Sequence, residues 1–283
     1  MSKPRLLDAF SGAGGACRGY QQAGFYVVGV DIEPQPHYRG EEFVQGDALE
    51  YLAEHGAEYD AIHASPPCQG YSIMHNLPWL RGRSYPLLIL PTIEMLEALG
   101  RPYVLENVMG ARYGAKGLEK RGLEAHGLKA GWLCGTMFGL PFYRHRLFAT
   151  NWLWLAPEHP KHVAHIRPGS LLGGRAQEIV CSAPEDARGI VAIPTKSGNF
   201  DPDYRKHKLG GTLPKSKDGP GGAGLTTWTN NGALPMGHNA SKGWRKAAEA
   251  MGIDWSVTRA ELTQMVPPCY THHVGRQLMQ LMQ

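Results

Sequence analysis

The 283-residue sequence lacks the marks of a membrane or secreted protein. No apolar run approaches the roughly 20 residues that a membrane helix needs. Met1 to Arg5 runs straight into a strand-like segment with no signal-peptide pattern, so a soluble, intracellular protein is expected. Cysteine is scarce. Cys17, Cys68, Cys134, Cys181 and Cys269 are odd in number, widely spaced and without a CxxC pair. A disulfide framework is therefore not expected, and at least one thiol is free to react. Charge is thin as well: 19% of residues are charged, with a net charge of +4, against 42% hydrophobic. That balance describes a packed globular chain rather than a disordered one. No internal repeat is present.

What the sequence does hold is a strand–turn–helix rhythm over residues 5–110. Arg5 to Phe10 reads as a first strand, punctuated by Gly12, Gly14 and Gly15, and Ala16 to Ala23 suits a helix. Tyr26 to Val30 reads as a second strand ending at Asp31. Glu42 to Val44 is a short third strand, followed by Gly46 and Asp47. Asp60 to Ala64 is a fourth, ending at Ser65-Pro66-Pro67. Leu87 to Leu99 carries its apolar residues on one helical face, and Tyr103 to Glu106 is the fifth strand. Strands alternating with helices predict an α/β fold, a mostly parallel sheet flanked by helices. Leu133 to Asn151 holds a further pair of apolar segments. After Trp154 the pattern breaks down: residues 155–240 are rich in Gly and Pro and predict a small irregular or β domain. Helical pattern returns at Trp244 to Met251 and near the C-terminus. The expected organisation is a catalytic domain over 1–154, a second domain over 155–240, and a segment over 241–283 that returns to the first.

Four clusters carry chemistry. Asp8-Ala-Phe-Ser-Gly-Ala-Gly-Gly15 lies between a strand and a helix, where glycines let a ligand approach the backbone and the helix amides. Asp31, at the end of the next strand, suits ribose hydroxyls, and Asp47 suits a base amino group. A tight strand–helix turn explains the glycines equally well, and the dinucleotide GxGxxG spacing is not met, which argues against NAD. Ser65-Pro-Pro-Cys-Gln-Gly-Tyr-Ser72 sets Cys68 directly after a strand end, stiffened by two prolines. A lone Cys is usually buried and structural, but this setting is hard to explain as core. Glu106-Asn107-Val108 ends the fifth strand. Burial of a carboxyl there raises its pKa toward a proton donor's range, although a structural Glu capping the next helix has the same sequence. In Tyr143-Arg-His-Arg-Leu-Phe148, alternation puts Arg144 and Arg146 on one face of a strand, where they need anionic or carbonyl partners or form structural salt bridges.

In this order the four clusters resemble the cytosine-C5 DNA methyltransferase family. Asp8 to Gly15 looks like its motif for S-adenosylmethionine. Pro67-Cys68-Gln69 looks like its nucleophile motif, Glu106-Asn107-Val108 matches its ENV motif, and Arg144-x-Arg146 resembles its RxR motif. The resemblance covers residues 5–150 and resumes at Glu261 to Gly275. Two positions depart from the family pattern: Phe142 stands where Gln is common, and Thr263-Gln264 stands in place of Gly-Asn. The resemblance implies a Rossmann-like S-adenosylmethionine-dependent methyltransferase fold with a target recognition domain at 155–240. It implies that Cys68, Glu106, Arg144 and Arg146 are catalytic. It also implies that Phe10, Gly12, Gly14, Asp31, Ile32, Asp47, Ala48 and Pro67 hold S-adenosylmethionine. The reaction it implies is methylation of C5 of a cytosine flipped out of double-stranded DNA, through a covalent bond from Cys68 to C6.

The partner expected is double-stranded DNA, with a monomeric enzyme in the cytoplasm of a bacterial or phage-infected cell. Between Lys161 and Lys217 ten Lys and Arg face five acids, a net +5 that leaves the rest of the chain near −1. A basic segment suits phosphate contacts, though a solvated loop surface has the same composition. Gly70 to Pro86 has the length and polarity of a loop that closes over a substrate, or of an ordinary connection. His159-x-x-His162-x-x-His165 comes without a Cys pair, and no metal is expected. Two rivals stand beside the DNA enzyme. A tRNA cytosine methyltransferase carries a Cys-Phe-Thr signature that this sequence does not contain. A non-catalytic DNA-binding relative would have lost Cys68 or Glu106, and both are present.

Overall fold

The computed structural model describes residues 2–71, 84–113, 126–140, 144–160, 164–168, 177–181 and 248–283. These fall into two compact units. The first comprises Met1–Leu133, His145–Pro157 and Met265–Gln283; the second comprises Cys134–Arg144 and Glu158–Gln264.

The first unit is built on a seven-stranded sheet. Its strands are β1 (Arg5–Ala9), β2 (Tyr26–Asp31), β3 (Glu42–Gln45), β4 (Ala61–Ala64), β5 (Tyr103–Asn107), β6 (Lys129–Leu133) and β7 (Arg146–Thr150), in the order β3-β2-β1-β4-β5-β7-β6. The five strands from β3 to β5 pair in parallel. The apolar pair within Leu133 to Asn151 and its neighbour are antiparallel instead: β7 pairs with β5 and with β6. The α/β expectation therefore holds, as a mixed sheet. The order reverses between β1 and β4, and ligands in open α/β sheets bind outside the strand ends at such a point.

Alternation along each strand separates two faces. Leu7, Ala9, Val28, Val30, Ile62, Ala64 and Leu105 point to one side. There they meet Leu52 of α2 (Ala48–His55) and Ile89, Ile93 and Leu96 of α3 (Ile89–Leu99), all fully buried. Each such aliphatic side chain stabilises the fold by about 1.5–3 kcal/mol. The other side is covered by α1 (Gly15–Ala23) and the C-terminal helix (Pro268–Leu281). These two helices approach closely. A Cβ on Gly19 would run into the Pro268 carbonyl and the Thr271 hydroxyl. Thr271 Oγ1 donates to the Ala16 carbonyl at 2.8 Å, which joins positions 255 residues apart.

The fourth helix, α4, is a single turn at Gly110–Tyr113. In the second unit, β8 (Ala164–Pro168) and β9 (Gln177–Cys181) form an antiparallel pair, and α5 spans Arg259–Gln264. The C-terminal helix is α6. The rest of the 155–240 segment beyond residue 160, and most of the Gly70 to Pro86 loop, lie outside the described residues. Among the described residues no helix is long and apolar enough to cross a membrane.

Candidate active site

At the carboxyl end of β1 the chain turns sharply. Phe10 takes a left-handed backbone (φ 61°), as do Gly12 (φ 50°) and Gly14 (φ 84°). A left-handed phenylalanine is strained, and its neighbours hold it: Ser65 Oγ donates to the Phe10 carbonyl at 3.2 Å, and the Ser11 amide donates to Val30 at 3.0 Å. Gly14 is the N-cap of α1 and offers no side-chain acceptor to the first-turn amides. An ideal Cβ on Gly12 would meet nothing within 4 Å, so this side of the turn is open.

Asp31 sits beside the turn at the end of β2. Its Oδ2 accepts the Gly12 amide at 2.9 Å and its Oδ1 accepts the Glu33 amide at 3.0 Å, which fixes the carboxylate and leaves lone pairs for a ligand. The next residue, Ile32, is 65% exposed, an apolar side chain set out in solvent beside a carboxylate. Asp47 is the N-cap of α2: its Oδ1 accepts the amides of Leu49 at 2.8 Å and Glu50 at 3.1 Å, and Ala48 is the buried first residue of that helix. The donor set fits S-adenosylmethionine. The start of α1, which no side chain caps, suits its carboxylate, a fixed Asp31 suits ribose hydroxyls, and an exposed aliphatic side chain suits an adenine face.

The segment that carries Cys68 follows β4. Pro66 is buried, while Pro67 and Cys68 are half-buried. The Tyr71 amide donates to the Cys68 carbonyl at 3.1 Å, and the Tyr71 hydroxyl accepts the Ile89 amide at 2.9 Å, tying the segment to the start of α3. Asn107, at the end of the neighbouring strand β5, is 1% exposed. Its Nδ2 donates to the Pro66 carbonyl at 2.8 Å and its Oδ1 accepts the Val108 amide at 2.9 Å. Sequence reading quoted Asn107 within a motif but gave it no role; its place beside a candidate acid was the signal. Glu106 is 6% exposed and pairs with Arg146, Nε to Oε1, at 3.1 Å. Glu106 belongs to β5 rather than capping a following helix.

One expectation requires correction. Arg144 and Arg146 do not share a strand face, because β7 begins at Arg146. Arg144 precedes the strand and is buried, and its Nη2 donates to the Thr263 carbonyl at 2.9 Å. The alternation argument failed because it assumed regular strand geometry through position 144. Thr263, read as a departure from the family pattern, thus supports this guanidinium with its backbone.

Beneath the glycine turn lies a sealed polar layer. Tyr20 Oη and His63 Nδ1 are 3.0 Å apart, His63 Nε2 faces Asp8 Oδ1 at 4.0 Å, and all three side chains are buried. Burial lowers the His63 pKa to about 3. Burial also raises the Asp8 carboxyl well above the usual range, helped by the charges of Asp31 and Glu106 and opposed by the Cys17 amide. Both shifts favour the uncharged forms of Asp8 and His63. Burial likewise pushes the Cys17 thiol up, with Asp8 adding to the effect, so Cys17 is not a thiolate nucleophile. Cys68, half-exposed at a strand end, has the better access of the two.

No family model matches the chain. It is similar to the type II methyltransferase M.XorII of Xanthomonas oryzae pv. oryzae, with 32% identity over 130 residues that cover 40% of this chain and 30% of that protein. M.AgeI of Thalassovita gelatinovora is 25% identical over 194 residues, 59% of this chain and 44% of that protein. M.AquIA of a Picosynechococcus strain is 28% identical over 178 residues, 51% of this chain and 70% of that protein. The chain thus spans less than half the length of the first two relatives. The crystal structure of S. pombe Dnmt2 methyltransferase aligns over 99% of both chains, with a TM-score of 0.53 and 16% identity. That likeness establishes the fold, a Rossmann-like methyltransferase sheet.

Proposed function

We propose, from its likeness to type II methyltransferases, that this chain belongs to the cytosine-C5 DNA methyltransferase family and methylates C5 of cytosine in double-stranded DNA. The observation that carries the reading is the tie between two strand ends: Asn107 holds the Pro66 carbonyl two residues before Cys68, next to the Glu106–Arg146 pair. A nucleophile, an acid and a cation on adjacent strands are what addition to a pyrimidine ring requires.

S-adenosylmethionine would be held by Phe10, Gly12, Gly14, Asp31, Ile32, Asp47, Ala48 and Pro67, and when bound it supplies an electrophilic methyl group. The target cytosine must leave the duplex, since its C5 and C6 are inaccessible within the stack. The Cys68 thiolate then adds to C6. Glu106 donates a proton to N3, so the ring takes the extra electrons as a neutral adduct. Arg146, already oriented by Glu106, holds the O2 carbonyl. Arg144, held by the Thr263 carbonyl, is read as a further catalytic cation. Once C5 carries the methyl group, loss of the C5 proton to a water base, departure of Cys68 as thiolate and return of the N3 proton to Glu106 restore the ring.

DNA is favoured over tRNA by the missing Cys-Phe-Thr signature and by the basic balance between Lys161 and Lys217. Residues 155–240 would be the target recognition domain. The test is nucleoside mass spectrometry on plasmid DNA and on tRNA from cells that lack cytosine methylation. Those cells express either the protein or its Cys68→Ala form. 5-Methylcytosine in DNA is expected only with the intact chain. 5-Methylcytosine confined to tRNA moves the substrate to RNA, and equal levels with Cys68→Ala overturn the mechanism.

A further inference from the structure

The connection from β2 to β3, residues 32–41, contains no helix and folds back against the glycine turn. The Tyr38 amide donates to Gln35, and the Glu41 amide donates to Val27, whose own amide returns to Glu41 Oε2 at 2.8 Å. This pins the ring of Tyr38 inward. The ring rests against three glycines, each of which would lose the contact with a side chain. A Cβ on Gly14 would lie 3.1 and 3.3 Å from two ring carbons, and a Cβ on Gly29 or Gly40 would overlap the ring. Phe43 packs beside it with centroids 5.4 Å apart. The hydroxyl is buried, facing Cys17 and Asp8, and burial keeps the phenol neutral.

Gly29 is the informative member of this seat. It lies in mid-strand, paired with Asp8 of β1 and Phe43 of β3. Glycine there weakens a strand and marks a place where another group approaches the backbone closely. The approaching group is the Tyr38 ring. Gly14 stands two residues after Gly12, and Gly29 stands two residues before Asp31. The ring therefore fills the space between the two backbone segments that the Gly12–Asp31 hydrogen bond joins at their tips.

We propose that Tyr38 is a positioning residue for the cofactor, its ring setting the spacing between the glycine turn and Asp31. The inference rests on reading Gly12, Gly14 and Asp31 as cofactor contacts. Tyr38 itself touches no reacting atom, so its loss acts on affinity and on KM for the cofactor rather than on kcat. Both the ring and the glycine that seats it belong to one device, and the device fails once whichever part is removed.

The experiment is equilibrium binding of S-adenosylmethionine and S-adenosylhomocysteine to the full chain. The variants are Tyr38→Phe, Tyr38→Ala, Gly29→Ala and the double Tyr38→Ala/Gly29→Ala, each checked by thermal melting. Tyr38→Phe keeps the ring and should bind like the parent. Tyr38→Ala and Gly29→Ala should each weaken binding about tenfold or more, a scale set by ångström-level misplacement of contacts. The double variant should be no worse than Tyr38→Ala alone, because the new methyl group no longer meets a ring. Unchanged affinity in a folded Tyr38→Ala or Gly29→Ala protein overturns the proposal, as does additivity in the double variant. If Tyr38→Ala does not fold, Gly29→Ala, which keeps every native side chain, decides alone. If the parent chain binds neither ligand, the cofactor reading itself falls and takes this inference with it.

Discussion

Replacing Asn107 with Asp changes one NH2 group to oxygen and almost no volume. The new carboxylate would face the Pro66 carbonyl across the 2.8 Å gap that the amide now bridges, at a position 1% exposed to solvent. Two acceptors cannot share that gap, and a lone buried carboxylate is costly. The escape is protonation: a carboxylic acid donates to Pro66 as the amide did. The folded state then binds a proton that the unfolded state, with an ordinary Asp pKa of about 3.9, releases. A pKa raised by folding means stability that is present at low pH and lost as pH rises. The loss approaches ~1.4 kcal/mol per pH unit, so the variant should be weaker than the parent by ~2 kcal/mol at pH 5.5 and by up to ~5–6 kcal/mol at pH 8. In melting temperature, the deficit should grow by about 7–14 °C between those conditions. Methyl transfer relative to the parent should recover in the same direction, since protonation restores the tie that sets Cys68. Melting curves and radiolabelled methyl transfer at both pH values measure this. A deficit equal at pH 5.5 and pH 8 would refute the argument, because it would mean that the carboxylate had found water and that Asn107 is not a rigid tie.

Two further changes probe the scaffold. Gly19→Ala would press a methyl group into the Pro268 carbonyl and disturb the Thr271–Ala16 hydrogen bond. Overpacking of about 1–3 kcal/mol and about 1 kcal/mol for the bond should lower the melting temperature by roughly 4–16 °C, and an unchanged melt would contradict the packing described. His63 is neutral when folded, with a pKa of about 3, and ordinary when unfolded, so acid weakens the fold as pH falls from about 6.5 toward 3. His63→Gln should flatten that decline in melts run between pH 7 and pH 5, and a parent-like slope would show that His63 is not the titrating group. Asp8 acts with the opposite sign, since its raised pKa costs stability as pH climbs above the ordinary carboxylate range.

Much of this could be read from the sequence, for identifiable reasons. The central parallel strands carry near-continuous apolar runs, and polar or reactive residues stand at or just past their ends: Asp31, Cys68, Asn107. Helix α1 and helix α3 followed from periodicity, and their limits fell within two residues of the structure. The antiparallel return of β6 and β7 did not follow, because an apolar strand does not encode its partner's direction. Arg144 was misplaced because two residues of alternation look the same in a strand and in the irregular chain before one. Tyr38 was invisible for a different reason. Its role depends on glycines at 14, 29 and 40, which are scattered in sequence and meet only when β2 lies beside β1. Asp8 and His63 likewise become neighbours only through the β1–β4 register.

The packing of α1 against α6 also has a consequence in time. Residues 15–23 are made long before residues 265–281, against which Gly15, Gly19 and Tyr20 pack. Until those later residues follow, the face of α1 that they cover stands exposed. Contacts that span so much of the chain slow folding and leave intermediates prone to association. The glycine turn hangs from the first residues of that same helix. A nascent chain stopped before residue 265 would therefore lack the packing that holds the helix from which the glycine turn hangs.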